Sequence, residues 1–569
     1  MHYFLGLDNG GTATKAALFD QNGREIGTCN AETQSITPRP GFVERDMEEM
    51  WYANCSVVKG VLVKTGVDPK DIRGIGVSGH GKGLYLWGKD NRPNGHGIIS
   101  TDNRAWRYSE QWKKDGTEDR AFKLSCQHVM ACQPVALLAW LKKEEPERYA
   151  NIQSIFECKD YIRYRLTNEA RAEVTDYSGS GLMNLKTGTF DPELLKIFGI
   201  EEVESALPPL VGATEVAGYV TEEAAEETGL ACGTPVIGGM FDINACAIGS
   251  GVTDPDKICM IAGTWSINEY IRTTPVLDGK VQMNSLFALP GYYLIEESSP
   301  TSAGNFEWFI RELLPEAKRD VKAKMQGTSI YDVVDNWVEQ IPPTEFVPIF
   351  LPFLMASNVH PNARGTFVGL NVSHTRRHMA RSIFEGITFC HRYHFEKLMA
   401  TRETAPHVIR LSGGAAKADV WAQMFADVLG YSVETVAANE VGALGIAVGC
   451  AVATGEYADL DEAVAKMTGV SKRFEPNPAV KDIYDRKYAL YVKTVECLDP
   501  LWDDMQALVD GKYTRMRLDI YVHDVSLSEA KRSSSGEHSI FAVHFWGENY
   551  QTKEDDLFGQ RHSAPPANQ

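Results

Sequence analysis

No apolar run in this 569-residue chain approaches the roughly 20 residues that a bilayer-spanning helix needs, so no membrane span is expected. Its first residues, MHYFLGLDNGG, lack the basic stretch and long apolar core of a secretory signal, and none is expected. Basic charge is short as well. Lys and Arg number 57 against 76 Asp and Glu, a net charge of −19. A field of that sign argues against a general nucleic-acid binder and against an anionic membrane surface as partner. Phosphorylated ligands would have to be met by local cations or backbone N–H groups. The eleven cysteines lack paired spacing and are odd in number, which fits reduced thiols in a cytoplasmic protein better than a disulfide framework or a zinc site.

What is present suits a globular protein of two or more domains, with 43% hydrophobic and 23% charged residues. YFLGLD, NGGTAT and KAALFD (residues 3–20) read as strand, turn and strand, and Asn22-Gly23 signals a second hairpin. The first turn holds two glycines, two threonines and a lysine, a composition able to line an anion with N–H groups, hydroxyls and a cation. Asp46 to Val63 has helical periodicity, with Asp46 and Glu49 as a capping box. The same strand–turn–strand pattern returns at residues 257–273, KICMIAGTWSINEYIRT, so the chain reads as a duplication whose glycine turns face one another across a cleft, joined near Gly249 to Thr253.

Two motifs are decoys. Gly74, Gly76 and Gly79 spell the dinucleotide pattern, and Gly76, Gly81 and Lys82 nearly spell a P-loop. Both need a helix directly after the glycines, whereas LYLW reads as a strand. There remains a polar loop, Ser78 to Lys82, whose His80 and Lys82 could reach a polyol or line a solvated hairpin. STDNRAW places Asp102 and Arg104 in another loop. KDYIRYRL (159–166) reads as an amphipathic surface helix, and TDYSGSG (175–181) as a turn-rich loop. His374 and His378 stand four apart without a third ligand in view and read as polar residues of a helix start. VIRLSGGAAKADVW (408–421) runs from a strand through a glycine turn into a helix, and a helix of small residues spans 442–455.

The stretch VIGGMFDINACAIGSG (236–251) carries the sharpest alternative. Glycines ahead of Asp242 let other atoms approach it, and a strand-to-helix turn would hold it at a cleft. Read locally, Asp242 caps the helix from Ile243 onward.

Together these segments resemble the FGGY family of carbohydrate kinases, across about residues 3–505. GLDNGGTATKAALFD resembles the family's first phosphate motif, AGT (262–264) its second, and SGGAAKADVWAQMFADVLG from Ser412 its adenosine motif. GTFVGLNVSHTRRHMARSIFE (365–385) fits its C-terminal signature. GGMFDINACAIGSG matches the segment with the catalytic aspartate. Two positions depart from the pattern: no lysine stands near Ala136, and Ala418 stands where serine is frequent. The resemblance implies an α/β fold of duplicated actin/hexokinase-like (ribonuclease H-like) domains with an interdomain cleft. It implies an N-terminal domain, residues 1–250, holding the sugar site through His80, Lys82, Asp102, Arg104 and Asp242. A C-terminal domain, 251–512, would hold the nucleotide, and a tail, 513–569, is expected to be poorly ordered and dispensable. ATP would be bound by Gly10, Gly11, Thr12, Lys15, Gly263, Thr264, Gly413, Gly414 and Ala415. Asp242 would be the catalytic base, and Asp8 and Asp242 would hold Mg²⁺ through water. SGHGKG and STDNRAW are most similar to L-xylulose kinases, which implies a ketopentose acceptor phosphorylated at a terminal hydroxyl. D-xylulose, L-ribulose, glycerol and other polyols stay open, as do an actin-like ATPase, a sugar-sensing regulator and a homodimer.

Overall fold

The Asn-Gly-Gly turn joins β1 (Tyr3–Asn9) to β2 (Ala13–Asp20) as an antiparallel pair with Asp8 opposite Lys15. Gly23, at φ 75°, turns the chain into β3 (Glu25–Glu32). β4 (Ile72–Gly79) then lies parallel to β1 on its other side, and β5 (Pro235–Ile237) parallel to β4. Met240–Phe241 pairs with the end of β4. This is a computed structural model, and it describes residues 2–11, 13–324 and 328–509. They fall in two compact units, up to Asp499 and from Pro500 on; of the second unit the helix Trp502–Val509 is described. The tail expected at 513–569 lies outside the described residues.

The second sheet repeats the first. β6 (Lys257–Ala262), β7 (Ser266–Arg272) and β8 (Tyr293–Ser299) form an antiparallel meander. β9 (Val408–Gly413) runs parallel to β6, and β10 (Val433–Val436) parallel to β9. Three meandering strands followed by two parallel ones, twice over, are the duplicated α/β architecture of actin/hexokinase-like (ribonuclease H-like) domains.

Helices cover both sheets. α1 (Met47–Thr65) packs on β2 and β3, and its cap Asp46 accepts from the Glu49 N–H at 3.0 Å. α2 (Cys158–Thr167) follows later in the first half, then α3 (Asp242–Gly249). α4 (Arg376–Met399) lies on the second sheet, ahead of α5 (Asp419–Leu429) and α6 (Val441–Ala453). His374 precedes α4, while His378 completes a capping box with Thr375.

α6 comes from the second half of the chain but packs on β1 and β4 of the first sheet and against α3. Small residues make this crossing possible. A Cβ on Gly6 would lie 2.2 Å from the Ala443 carbonyl oxygen, and one on Gly445 1.9 Å from that of Ala245. The same helix explains the decoy glycines. A Cβ on Gly76 would meet Ile237 at 2.5 Å and Ile446 at 2.8 Å, so Gly76 serves packing rather than phosphate. The segment after it is the expected strand, Tyr85–Gly88.

Two expectations are corrected. KDYIRYRL is helical, but Lys159, Asp160, Tyr161, Ile162 and Arg163 are buried rather than spread over a surface. The Ser78–Lys82 segment is no solvated hairpin, since Ser78, His80 and Lys82 are all buried. In both places neighbouring elements supply partners that sequence periodicity does not reveal.

Candidate active site

Strand register brings the two aspartates to one edge. Asp8 pairs with Ser78, which in turn pairs with Met240, two residues before Asp242. The two acids thus leave the same end of the sheet, and Asp8 is the leading charge that acts on Asp242. In the second sheet Ala262 pairs with Gly413, so the Gly263-Thr264 turn and the Gly413-Gly414-Ala415 turn are neighbours. All four features stand at the carboxyl ends of parallel strands, where ligands of α/β sheets bind.

Asp8 accepts a hydrogen bond from Ser78 Oγ at 2.9 Å. Burial pushes its carboxyl up, against the pull of Lys15 and Ser78. Gly442 of α6 leaves it room, since even a Cβ there would stand 3.6 Å from Asp8 Oδ2. Lys15 pairs with Glu440 at 2.8 Å. Burial works against the ammonium charge, but Glu440 and Asp8 outweigh it and hold the group above its ordinary value. In the turn between, Gly10 N donates to Ala13 O at 3.0 Å, and a Cβ on Gly11 would meet nothing within 4 Å. Thr12 lies outside the described residues.

Asp242 is the first residue of α3, and the capping position belongs to Phe241, with no side-chain cap. The local reading of Asp242 as the cap is therefore set aside. Burial, then Asp8 and Asp176, push its carboxyl well up, with Lys82 among the groups that oppose them. A buried polar chain holds this segment in place. Lys159 Nζ lies 3.1 Å from Asp160, 3.3 Å from Glu173 and 3.4 Å from Asp176. Glu173 accepts from Thr175 Oγ1 at 2.7 Å, and Thr175 Oγ1 accepts from the Phe241 N–H at 3.0 Å. Arg163 joins Asp160 at 2.6 Å and donates to Gly238 O. Sequence reasoning missed this cluster because charges on a helix read as a solvated face.

Of the four residues expected to meet a sugar beside Asp242, Lys82 is near enough to act on its charge, and His80 follows Gly79, the strand partner of Phe241. Lys82 adopts φ 64°, unusual for a long side chain, and its N–H donates to Glu157 Oε2 at 3.0 Å. Its ammonium stands 5.8 Å from the centroid of the Phe241 ring. His80 Nε2 bonds the Tyr85 hydroxyl at 2.9 Å. Burial, then Arg45, lower its pKa to about 3, so the ring is neutral. Asp102 and Arg104 bind each other instead. Arg104 Nη2 reaches Asp102 at 2.9 Å and Glu44 at 2.7 Å, and Asp102 also accepts from the Val43 N–H at 2.7 Å. Both side chains are fully buried, and the guanidinium stacks on Phe42, 4.3 Å from its centroid. They brace the loop rather than stand open to a polyol.

In the second sheet Gly263 N donates to Trp265 O at 3.2 Å, and Thr264 is exposed. Gly413 has φ 85°, and a Cβ there would sit 2.5 Å from Ala262 O, so only glycine fits. Ala415 is buried beneath the turn, and Gly414 faces Ala303.

A hard divalent cation held through one or two carboxylates and substrate phosphates suits this donor set, with Asp8 and Asp242 on one edge. Among the described residues no group of three or more His, Cys, Asp or Glu is gathered for a metal. None of the described helices is long and apolar enough to cross a membrane.

Comparison with known proteins agrees with this geometry. Residues 3–249 match the N-terminal domain of the FGGY family of carbohydrate kinases, and residues 258–454 its C-terminal domain. The chain is 36% identical over 498 residues to the L-xylulose/3-keto-L-gulonate kinase of Escherichia coli (strain K12), covering 87% of this chain and 97% of that one. It resembles the crystal structure of a ligand-bound xylulose kinase from Lactobacillus acidophilus, with TM-score 0.78, 25% identity, and 89% and 100% of the two chains covered. A xylulose kinase from Rhodospirillum rubrum gives 0.75 and 26%, with 88% and 100% covered. With its duplicated sheets and both family domains in order, the chain belongs to the FGGY family of carbohydrate kinases.

Proposed function

We propose that this chain transfers the γ-phosphate of ATP to a terminal hydroxyl of a ketopentose, with L-xylulose as the preferred acceptor, in the cytoplasm. The observation that carries the reading is the shared edge of Asp8 and Asp242, set by the β1–β4–Met240 register. The similarity to the L-xylulose/3-keto-L-gulonate kinase of E. coli supports the acceptor. In this reading residues 1–250 hold the sugar through Lys82, His80 and Asp242. Residues 251–512 hold the nucleotide through Gly263, Thr264, Gly413, Gly414 and Ala415. Asp102 and Arg104 act at one remove, by bracing the loop.

The acceptor oxygen attacks the γ-phosphorus, the bond to the β–γ bridging oxygen breaks, and ADP leaves. Asp242 takes the hydroxyl proton. Its raised proton affinity suits that role, and the nearby Lys82 moderates it. Gly11 contributes its N–H toward the phosphates, with Lys15 beside it, while the Gly10 N–H holds the turn closed on Ala13 O. Mg²⁺ held through water by Asp8 and Asp242 would supply charge neutralisation of the phosphates.

The test is a panel of L-xylulose, D-xylulose, L-ribulose, glycerol and a 3-keto sugar acid, each assayed with Mg-ATP. The highest kcat/KM is expected for L-xylulose. A higher value for another acceptor overturns the substrate, and full-rate ATP hydrolysis without any sugar overturns the kinase reading.

A further inference from the structure

Arg45 stands in a two-residue strand, Glu44–Arg45, paired with Gly97–Ile98. Strand alternation sends Glu44 to Arg104 and His96 and turns Arg45 to the other face. There its side chain underlies the first glycine turn at 1% exposure. Nη2 donates to Gly11 O at 2.6 Å and Nη1 to Gly10 O at 3.3 Å, while the buried Nε has no partner among the described residues.

Four arginines are buried among the described residues, and three of them have a carboxylate within ion-pair distance. Arg104 has Asp102 and Glu44, Arg163 has Asp160, and Arg381 has Glu385. Among the described residues Arg45 has the two turn carbonyls as hydrogen-bond partners and no carboxylate within ion-pair distance. A guanidinium carries a permanent charge, and burying one without a counter-charge is strongly unfavourable. The fold keeps it where the turn opens to free space at Gly11.

We propose that Arg45 is a positioning residue for phosphoryl transfer, with the anion received by the Gly10-Gly11 turn as its missing counter-charge. Tying the Gly10 carbonyl back toward Arg45 sends the Gly11 N–H of the same trans peptide the opposite way, while the Gly10 N–H stays on Ala13 O. The uncompensated charge adds to the local field in which the phosphoryl group moves, and it also reaches the ring of His80 on the sugar side. The proposal rests on reading this turn as a phosphate site.

The full chain carrying R45Q or R45K, beside Gly11→Val, separates the two ideas. R45Q is expected to lower kcat roughly ten- to a hundredfold, less than the roughly hundred- to thousandfold loss of a donor that touches the reacting group, because Arg45 acts through the turn. The acceptor KM and the melting temperature should stay close to wild type, and R45K should recover part of kcat. R45Q that keeps kcat within about threefold of wild type overturns the proposal, being well short of that expected loss. So does R45K that falls as low as R45Q while both melt early, which would make Arg45 a packing residue. If R45Q does not fold, R45K decides, through its kcat at unchanged acceptor KM. A Gly11→Val variant with unaltered ATP KM and kcat sinks the phosphate reading itself. Impaired Gly11→Val beside unimpaired R45Q sinks only the role of Arg45.

Discussion

At the residue scale the decisive side chain is Asp242. It opens α3 as its first residue rather than as its cap, and the Ile243 N–H bears on its carboxylate, an interaction that an amide oxygen can keep. Asp242→Asn should therefore keep the fold and the sugar affinity. An amide cannot take the hydroxyl proton, and kcat should fall by at least about a hundredfold, the lower range of general-base contributions. Rate, melting temperature and sugar affinity measured on one preparation decide it; a folded, sugar-binding mutant within tenfold of wild type would remove the catalytic role. Gly11 offers the complementary case. Its Cβ direction is open space, so Gly11→Val should melt as wild type does. The new side chain would stand where phosphate is expected, and the ATP KM should rise on the order of tenfold, about 1.4 kcal/mol of lost binding. An ATP titration of the valine variant reports this directly.

At the scale of elements, the two small-residue helices α3 and α6 form the joint on which both halves depend. Gly445 and Gly249 allow backbone contact, for a Cβ on Gly249 would lie 2.1 Å from Val441 O. Backbone atoms cannot swing aside as a side-chain tip can. Gly445→Val should destabilise by about 3 kcal/mol or more, at or beyond the upper end of overpacking costs. Chemical denaturation should show it, and a loss below 1 kcal/mol would mean that the helices part freely. α2 teaches the opposite lesson about legibility. Its alternation of basic and aromatic residues looks like a solvated face, yet Lys159 is ringed by Asp160, Glu173 and Asp176. Two of those acids come from a later segment, and no local pattern announces them.

At the scale of the whole molecule, buried titratable groups shape the response to pH. His391 bridges Asn268 and Ser302, and burial, then His394, lower its pKa to about 3. The unfolded chain takes up this proton near pH 6.5 and the native state does not. The unfolded state thus binds more protons between these values, and stability from this group is lost as pH falls below 6.5. Glu157, Glu269 and Asp242, pushed upward by burial, act in the opposite sense, so the net profile is flattened. The single-residue effect is isolated by His391→Gln. Its stability deficit relative to wild type should shrink by about 1.2 kcal/mol between pH 6 and pH 5. Paired urea melts at the two values check it, and a constant deficit would show that His391 protonates in the folded state.

Local chemistry by itself determined the hairpins, the duplicated strand–turn–strand openings and the glycine turns. Turn residues and period-2 apolar patterns act over a few positions, and the order of the motifs along the chain carried the kinase family. The same short range explains why G-x-G-x-x-G could be dismissed, since the strand after it was readable too. Tertiary structure alone decided which aspartates share an edge, because strand register between residues 8, 78 and 240 is set by long-range pairing. It also decided that Asp102 and Arg104 satisfy each other, and that Arg45, one charge among many in the sequence, lies buried under a turn with no paired acid among the described residues. Desolvation and pairing are properties of what surrounds a group, and those surroundings arrive from segments far away in the chain.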